Sequence, residues 1–342
     1  MHVPRVQLAP GYAVSRLIKG GWQLAGGHGV VDHGAALRDM SAFVDAGITT
    51  FDCADIYTGV EALIGDFLRT RPRDEVQVHT KYVPDLGALG TLTPDDIART
   101  IDRSCQRLRV AALDLVQFHW WDYAIGDCVA AARALATLRE GGRIRHIGTT
   151  NFSTEGLRAI VSAGVPVIAH QVQYSLLDRR PAGAMHTLCA AHGIELLCYG
   201  ALAGGFVDER WLGVAEPVEP LENRSLTKYK LIIDACGGWV RFQELLGLLS
   251  EISQAHGVRI GAVAIRWVLD QPGVAAVIVG ARNAERLPGT VDALRIELGA
   301  SERERLGAFL DRLPLPAGDV YELERDRSGA HGRIMRYNLG ES

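Results

Sequence analysis

The chain has 342 residues, with 36 Lys and Arg against 40 Asp and Glu, a formal net charge of −4. At 48% hydrophobic and 22% charged residues it carries enough apolar material for a large core, which excludes a disordered chain. The charge balance leaves no basic footprint for nucleic acid, and no apolar run approaches the roughly 18 residues of a membrane span, so neither is expected as a partner.

The expected elements follow one another in a regular alternation. A short apolar run near 17–22 precedes a helix over 32–45, where Ala36, Met40, Phe43 and Val44 fall on one side. Apolar runs at 48–51 and 76–80 come next. Thr93-Pro94-Asp95-Asp96 then opens a helix that reaches residue 108. Its Thr suits the N-cap, its Pro the first turn, and its acids the positive end of the helix dipole. A run at 113–118 leads to an Ala-rich helix over 127–140, stopped at Gly141-Gly142. The run 144–149 is followed by Ser153, an N-cap for a helix through 163, with Glu155 in its first turn. Runs at 165–172 and 195–199 flank a helix over 182–191. Beyond them lies an irregular stretch, 204–238, long enough to read as a functional lid. Helices over 240–256 and 259–270, a run at 274–279, and helices over 283–293 and 301–312 complete the set.

Eight strand-like runs alternating with helices imply a parallel sheet, and their continuous apolar character suits strands covered on both faces. The sequence therefore predicts an α/β fold, a (β/α)8 TIM barrel over 1–317 with a lid loop at about 204–238 and a C-terminal tail over 318–342. A doubly wound sheet would announce itself with G-x-G-x-x-G after its first strand. The glycine-rich segment from Gly20 to Gly29 has no such window, and no Walker A motif occurs. Six Cys without a C-x-x-C pair give no disulfide framework, and 11 His without H-E-x-x-H or zinc spacing give no metal site. Reduced thiols point to the cytoplasm. So do the first twenty residues, in which Arg5, Arg16 and Lys19 interrupt any apolar leader segment.

In such a barrel the active site lies at the C-terminal ends of the strands. There the sequence places Asp52, Lys81, His119, Thr150-Asn151, Gln171 and Tyr199, with Tyr57 in the loop beyond Asp52. A Tyr hydroxyl titrates near 10, too high for easy proton exchange at neutral pH. A cation beside it lowers that value. Lys81 supplies the cation, and Asp52 keeps it charged and in place. His119 can donate a hydrogen bond to a substrate oxygen or relay protons. Asn151 and Gln171 offer amides for a carboxamide, and Tyr199 a flat face for a ring. Trp22, Trp120 and Trp121 follow the first and fourth strands and are expected to wall the mouth.

These segments resemble the aldo-keto reductase family: Phe51 to Tyr57, His79-Thr80-Lys81, Val116 to Trp121, Gly148 to Ser153, His170 to Ser175, Tyr199-Gly200, and Val277 to Asn283. The resemblance runs from about residue 20 to 293. It implies a (β/α)8 barrel and NAD(P)(H)-dependent carbonyl reduction or alcohol oxidation on a small-molecule substrate. It makes Tyr57 the general acid/base, Asp52 and Lys81 its partners, and His119 the residue that orients substrate. It assigns Asn151, Gln171 and Tyr199 to the nicotinamide, Thr150 and Gly200 to the cofactor site, and Gly204-Gly205 to the pyrophosphate loop. Where the family often has Lys-Ser near the adenosine phosphate, this chain has Gly280-Ala281, which leaves Arg282 and Arg286 as clamps for a 2′-phosphate. NADP(H) is thus favoured over NAD(H). Thr58-Gly59 follows Tyr57 where the family usually has Gly directly. Two other readings stand beside this one. One is a non-catalytic NAD(P)-binding regulatory or sensor subunit of the same fold. The other is a barrel lyase with Lys81 as a Schiff base.

Overall fold

The structure is a computed structural model describing residues 3–25, 29 and 31–335. Part of the glycine-rich segment (26–28) and the end of the tail (336–342) lie outside the described residues.

The chain opens with an antiparallel hairpin, β1 (Arg5–Ala9) and β2 (Tyr12–Ser15), which the sequence reading had not separated from the first strand. Eight parallel strands follow: β3 (Leu17–Gly20), β4 (Thr50–Asp52), β5 (Gln77–Tyr82), β6 (Leu113–Phe118), β7 (Ile144–Thr150), β8 (Val167–Gln173), β9 (Glu195–Tyr199) and β10 (Val274–Gly280). They close into a barrel in chain order, with β10 pairing back onto β3. This is the (β/α)8 TIM barrel that the alternation predicts. The hairpin leads straight into β3. Its Leu8, Tyr12 and Val14 pack with Ile18, Leu115, Ala169 and Leu197 and cover the N-terminal end of the barrel.

Most expected helices are present, with start signals that behave as the sequence suggests. Thr93 accepts from Asp96 N and the Asp96 side chain reaches back, a complete capping box on the helix Pro94–Leu108. Asp127 and Ser153 cap Cys128–Glu140 and Thr154–Ser162. Besides two four-residue helices in the tail, Glu322–Arg325 and Ala330–Arg333, two longer helices were not foreseen. Val60–Leu68 fills the gap between β4 and β5, and Arg224–Ala235 orders the second half of the long stretch after β9. The helix expected over 283–293 shrinks to Leu287–Val291 and a 3-10 turn, with Pro288 in its first turn, where a proline starts a helix and does not continue one. The core lies between the barrel and its helices, with a second cluster under the helices Arg224–Ala235 and Gly238–His256.

Three histidines are buried in this framework without a carboxylate on the ring: His79 against Tyr12 Oη, His170 against Thr149 Oγ1, and His119. Burial is the leading cause that pulls their pKa values down, to about 4, about 4 and about 3. The unfolded chain binds these protons near pH 6.5 and the folded chain does not. The stabilisation is therefore whole above pH 6.5 and declines as pH falls toward 4. Each histidine adds a slope of up to about 1.4 kcal/mol per pH unit. Denaturant melts between pH 7 and 4.5 are expected to show this loss, and a flat profile would refute it.

Candidate active site

The polar strand ends do meet inside the C-terminal mouth. Gly20 pairs with Asp52, Asp52 with His79, and Lys81, two residues further along its strand, with Gln117, so Asp52, Lys81 and Gln117 come from three successive strands near their C-terminal ends. Lys81 Nζ donates to Asp52 Oδ2 at 2.5 Å and to the Cys53 carbonyl at 2.8 Å. Asp52 Oδ1 accepts from Gln117 Nε2 at 2.8 Å and from Gln171 Nε2 at 2.6 Å. All four side chains are buried. Burial, the largest single influence, lowers the Lys81 pKa, but the Asp52 carboxylate, with Tyr57 and Cys53 beside it, more than offsets this and holds the ammonium above the ordinary lysine value. Gln117 was missed by the sequence reading. It lies two residues before His119, hence on the same face of the strand, and that spacing was the available signal.

Tyr57 stands on a tight loop. Its N–H meets the Ala54 carbonyl, and Gly59 turns the chain into the helix Val60–Leu68 with φ of +77°. Only glycine takes that angle without cost, so Thr58-Gly59 serves where a single Gly was expected. The Tyr57 ring lies 5.0 Å from Lys81 Nζ and edge-on to Trp22 at 5.1 Å. Lys81 was expected to lower the tyrosine pKa. Burial instead raises it above 10, with Lys81 only partly opposing. At neutral pH Tyr57 is therefore a phenol, with a cation at hand for any phenolate that forms.

His119 Nδ1 lies 3.2 Å from the Thr150 carbonyl, an acceptor, so the neutral ring carries its proton there. Nε2 is then a bare acceptor, buried and without a partner. In this tautomer Nε2 faces a ligand as an acceptor, whereas the sequence suggests a donor or a proton relay. With a pKa of about 3, set first by burial and then by the Arg325 charge, the ring stays neutral at working pH. Trp121 meets it edge-on at 4.3 Å and donates to the Pro84 carbonyl. Trp120 does not wall the mouth. Its ring is 1% exposed, packs on Phe118 and donates to the carbonyls of Asp122 and Ile125. Alternation past the strand end explains the difference, since Phe118 and Trp120 face the helices while His119 and Trp121 face inward.

The expected cofactor residues form a second group. Tyr199 Oη donates to Asn151 Oδ1 at 2.8 Å, which leaves the Asn151 amide nitrogen to donate. Gln171 spends its nitrogen on Asp52 and on Gln117 Oε1 (2.8 Å), which leaves its own oxygen to accept. One free donor and one free acceptor are the complement of a primary carboxamide. Thr150 Oγ1 and Gln23 Oε1 are also buried without partners. Gly200 and Gly204 take φ of +84° and +66°, and a Cβ on Gly204 would strike Tyr229 and the Ser225 carbonyl. Gly280 lies against the Gln23 amide, which a Cβ there would push aside. Arg282 lies against Gly29, and Arg286 is ion-paired with Asp208. These residues fit a nicotinamide dinucleotide.

The tail supplies what sequence could not show. Arg325 donates to the carbonyls of Trp120, Trp121 and Asn151, and its guanidinium lies 4.2 Å from the Tyr123 ring centroid. Tyr321 meets His119 edge-on at 5.6 Å, and Lys228 stands over both Tyr199 and Tyr321. The tail thus straps the loops after β6 and β7. Arg325→Ala is expected to cost about 1.5–3 kcal/mol, the scale of charged hydrogen bonds. It should also speed proteolysis near residue 325 and move the His119 titration upward, because a cation that opposes imidazolium is gone. An unmoved histidine titration would refute the electrostatic link.

A closed parallel barrel with a buried Lys–Asp pair set against a tyrosine at its mouth defines the class, a (β/α)8 barrel with a candidate acid–base site at the C-terminal ends of its strands. The sequence model described as the Aldo/keto reductase family matches residues 16–311, and the chain belongs to that family. It is similar to flagellar radial spoke protein 5 of Chlamydomonas reinhardtii, 29% identical over 257 residues. That match covers 64% of this chain and 49% of the spoke protein, so the chain spans about half its length. It is 28% identical to aldo-keto reductase YhdN of Bacillus subtilis, covering 83% of this chain and 85% of that one. Among solved structures, the glycerol dehydrogenase of Gluconobacter oxydans matches with a TM-score of 0.75 at 25% identity, covering 93% and 96% of the two chains. No helix among the described residues is long and apolar enough to cross a membrane, and no group of His, Cys, Asp and Glu there could hold a metal ion.

Proposed function

We propose that the chain interconverts a small-molecule carbonyl and its alcohol with NAD(P)(H), with Tyr57 as general acid/base. The observation that carries this is the buried Lys81–Asp52 pair held against the Tyr57 ring. The chemistry the nicotinamide supplies when bound is a hydride. Asn151 and Gln171 would hold its carboxamide, with Thr150, Tyr199 and Gly200 beside them. Gly204 and Gly280 would lie beside its phosphates.

In the reducing direction Tyr57 gives its phenolic proton to the carbonyl oxygen. Lys81 stabilises the phenolate left behind, and Asp52 keeps Lys81 charged. His119 Nε2 accepts a hydrogen bond from the hydroxyl so formed, which fixes the alcohol's orientation. In the oxidising direction the same groups run in reverse, Tyr57 taking the proton. Trp22 and Trp121 form walls for the substrate. Residues 1–317 act as one barrel in this reading, and the tail acts as its strap.

The test is turnover of a panel of aldehydes, ketones, sugars and alcohols, in both directions and with both cofactors. No turnover with any pair, despite measured NAD(P)(H) binding, would instead give a sensor or regulatory subunit. NADP(H) is favoured, because Arg286 and Arg282 flank the loop after β10. Arg286→Ala is expected to weaken NADPH roughly tenfold or more, the value of a charge-assisted bond to phosphate, and leave NADH unchanged. Equal effects on the two would remove Arg286 as the phosphate clamp.

A further inference from the structure

A second cleft, of about 660 Å³, lies on the far side of the loop that carries Tyr57. Its walls are that loop, the segment after β5 and the helix Pro94–Leu108. Tyr57 lines it but Trp22, His119 and Gln171 do not, so it adjoins the barrel mouth from the outer side of that loop. Its size is that of ordinary small-molecule sites.

Three arginines, Arg99, Arg103 and Arg107, line it at four-residue intervals along one face of the helix. Like charges at that spacing repel one another. The outer two have carboxylates: Arg99 pairs with Asp96, and Arg107 with Glu61 at 3.3 Å. The central Arg103 donates only to the neutral Thr100 Oγ1, at 3.1 Å, and has no ion pair among the described residues. Opposite lies Asp55. Its Oδ2 accepts from Val83 N at 3.2 Å, whereas its Oδ1 is buried and unpartnered. A buried polar atom without a partner costs roughly 1–3 kcal/mol and calls for an occupant. Burial first, and then the Glu61 charge, push the Asp55 carboxyl up to about 8, so at neutral pH it holds a proton and can donate. Asp85, also on the wall, adds an acceptor.

We infer that this cleft binds a small hydroxylated anion, a phosphate ester or a hydroxycarboxylate, with its anionic group on Arg103 and Asp55 and its hydroxyls toward Asp85. The site reaches the reaction through its floor, since Arg107 also holds the Asp55 carbonyl at 3.0 Å, two residues from Tyr57.

The inference is tested by calorimetric titration of inorganic phosphate and of tartrate into the enzyme saturated with NADPH, which keeps the cofactor site filled. Because the readout is binding, it stands apart from the proposed turnover. At least one probe is expected to bind with Kd below about 10 mM, phosphate alone pointing to a phosphate ester and tartrate to a hydroxycarboxylate. Arg103→Ala should weaken that binding about tenfold or more, one charge-assisted hydrogen bond's worth. Asp55→Ala should weaken it too, while Asp55→Asn, which keeps a donor, restores it. Arg286→Ala should leave it unchanged. Binding of neither probe, or binding indifferent to Arg103→Ala, overturns the inference.

Discussion

Tyr57→Phe is expected to lower kcat by about two to four orders of magnitude, the range attached to a positioned general acid, while NADPH binding stays within about twofold. The substitution deletes one oxygen. The ring keeps its edge contact with Trp22 and its place near Lys81, and the Lys81–Asp52 pair does not depend on the hydroxyl. Stability should hold or fall slightly, because the ring is only half-buried and the hydroxyl it loses interacts with the Lys81 ammonium. The raised Tyr57 pKa adds a directional expectation. Reduction, which needs the protonated phenol, should stay active to high pH. Oxidation, which needs the phenolate, should gain from rising pH. Steady-state rates in both directions, with fluorescence titration of NADPH, measure each part. Retained turnover in Tyr57→Phe would remove Tyr57 from the chemistry.

The barrel was legible because buried parallel strands read as uninterrupted apolar runs, and because their polar ends mark the mouth. That rule located Asp52, Lys81, His119 and Gln171 without any structure. It overreached at Trp120, where a residue count from the strand end ignored which face the next side chain takes. It could not set the His119 tautomer, because the carbonyl beside Nδ1, that of Thr150, is 31 residues away in the chain. It misjudged the sign at Tyr57, because burial is a property of the folded surroundings and outweighs one neighbouring cation. The strap by Arg325 and Tyr321 had no local signature at all. An arginine in a charged tail looks solvated until the loops it joins, some 170 to 200 residues earlier, are brought beneath it.

The Lys81–Asp52 pair offers the sharpest separation of stability from catalysis. Lys81→Met leaves the Asp52 carboxylate buried, with only the Gln117 and Gln171 amides as partners. Removing one member of a buried pair costs about 3–5 kcal/mol, because the remaining charge has lost its compensation. Asp52→Asn strands the other charge. Burial, the largest influence on Lys81, would then pull its pKa down unopposed by the carboxylate. The double variant Asp52→Asn/Lys81→Met removes both charges and keeps the side chains' volumes. It is expected to recover most of the lost stability, so the two single losses should not add. Activity should behave differently. Lys81 is the cation that makes a Tyr57 phenolate affordable, and neither Lys81→Met nor the double variant provides it. Both should turn over about a hundredfold or more slower than the parent. Chemical denaturation and kcat on the same four proteins decide the matter. Additive stability losses would show that the pair is not coupled. A double variant that regained turnover would reduce Lys81 to a structural counter-ion for Asp52.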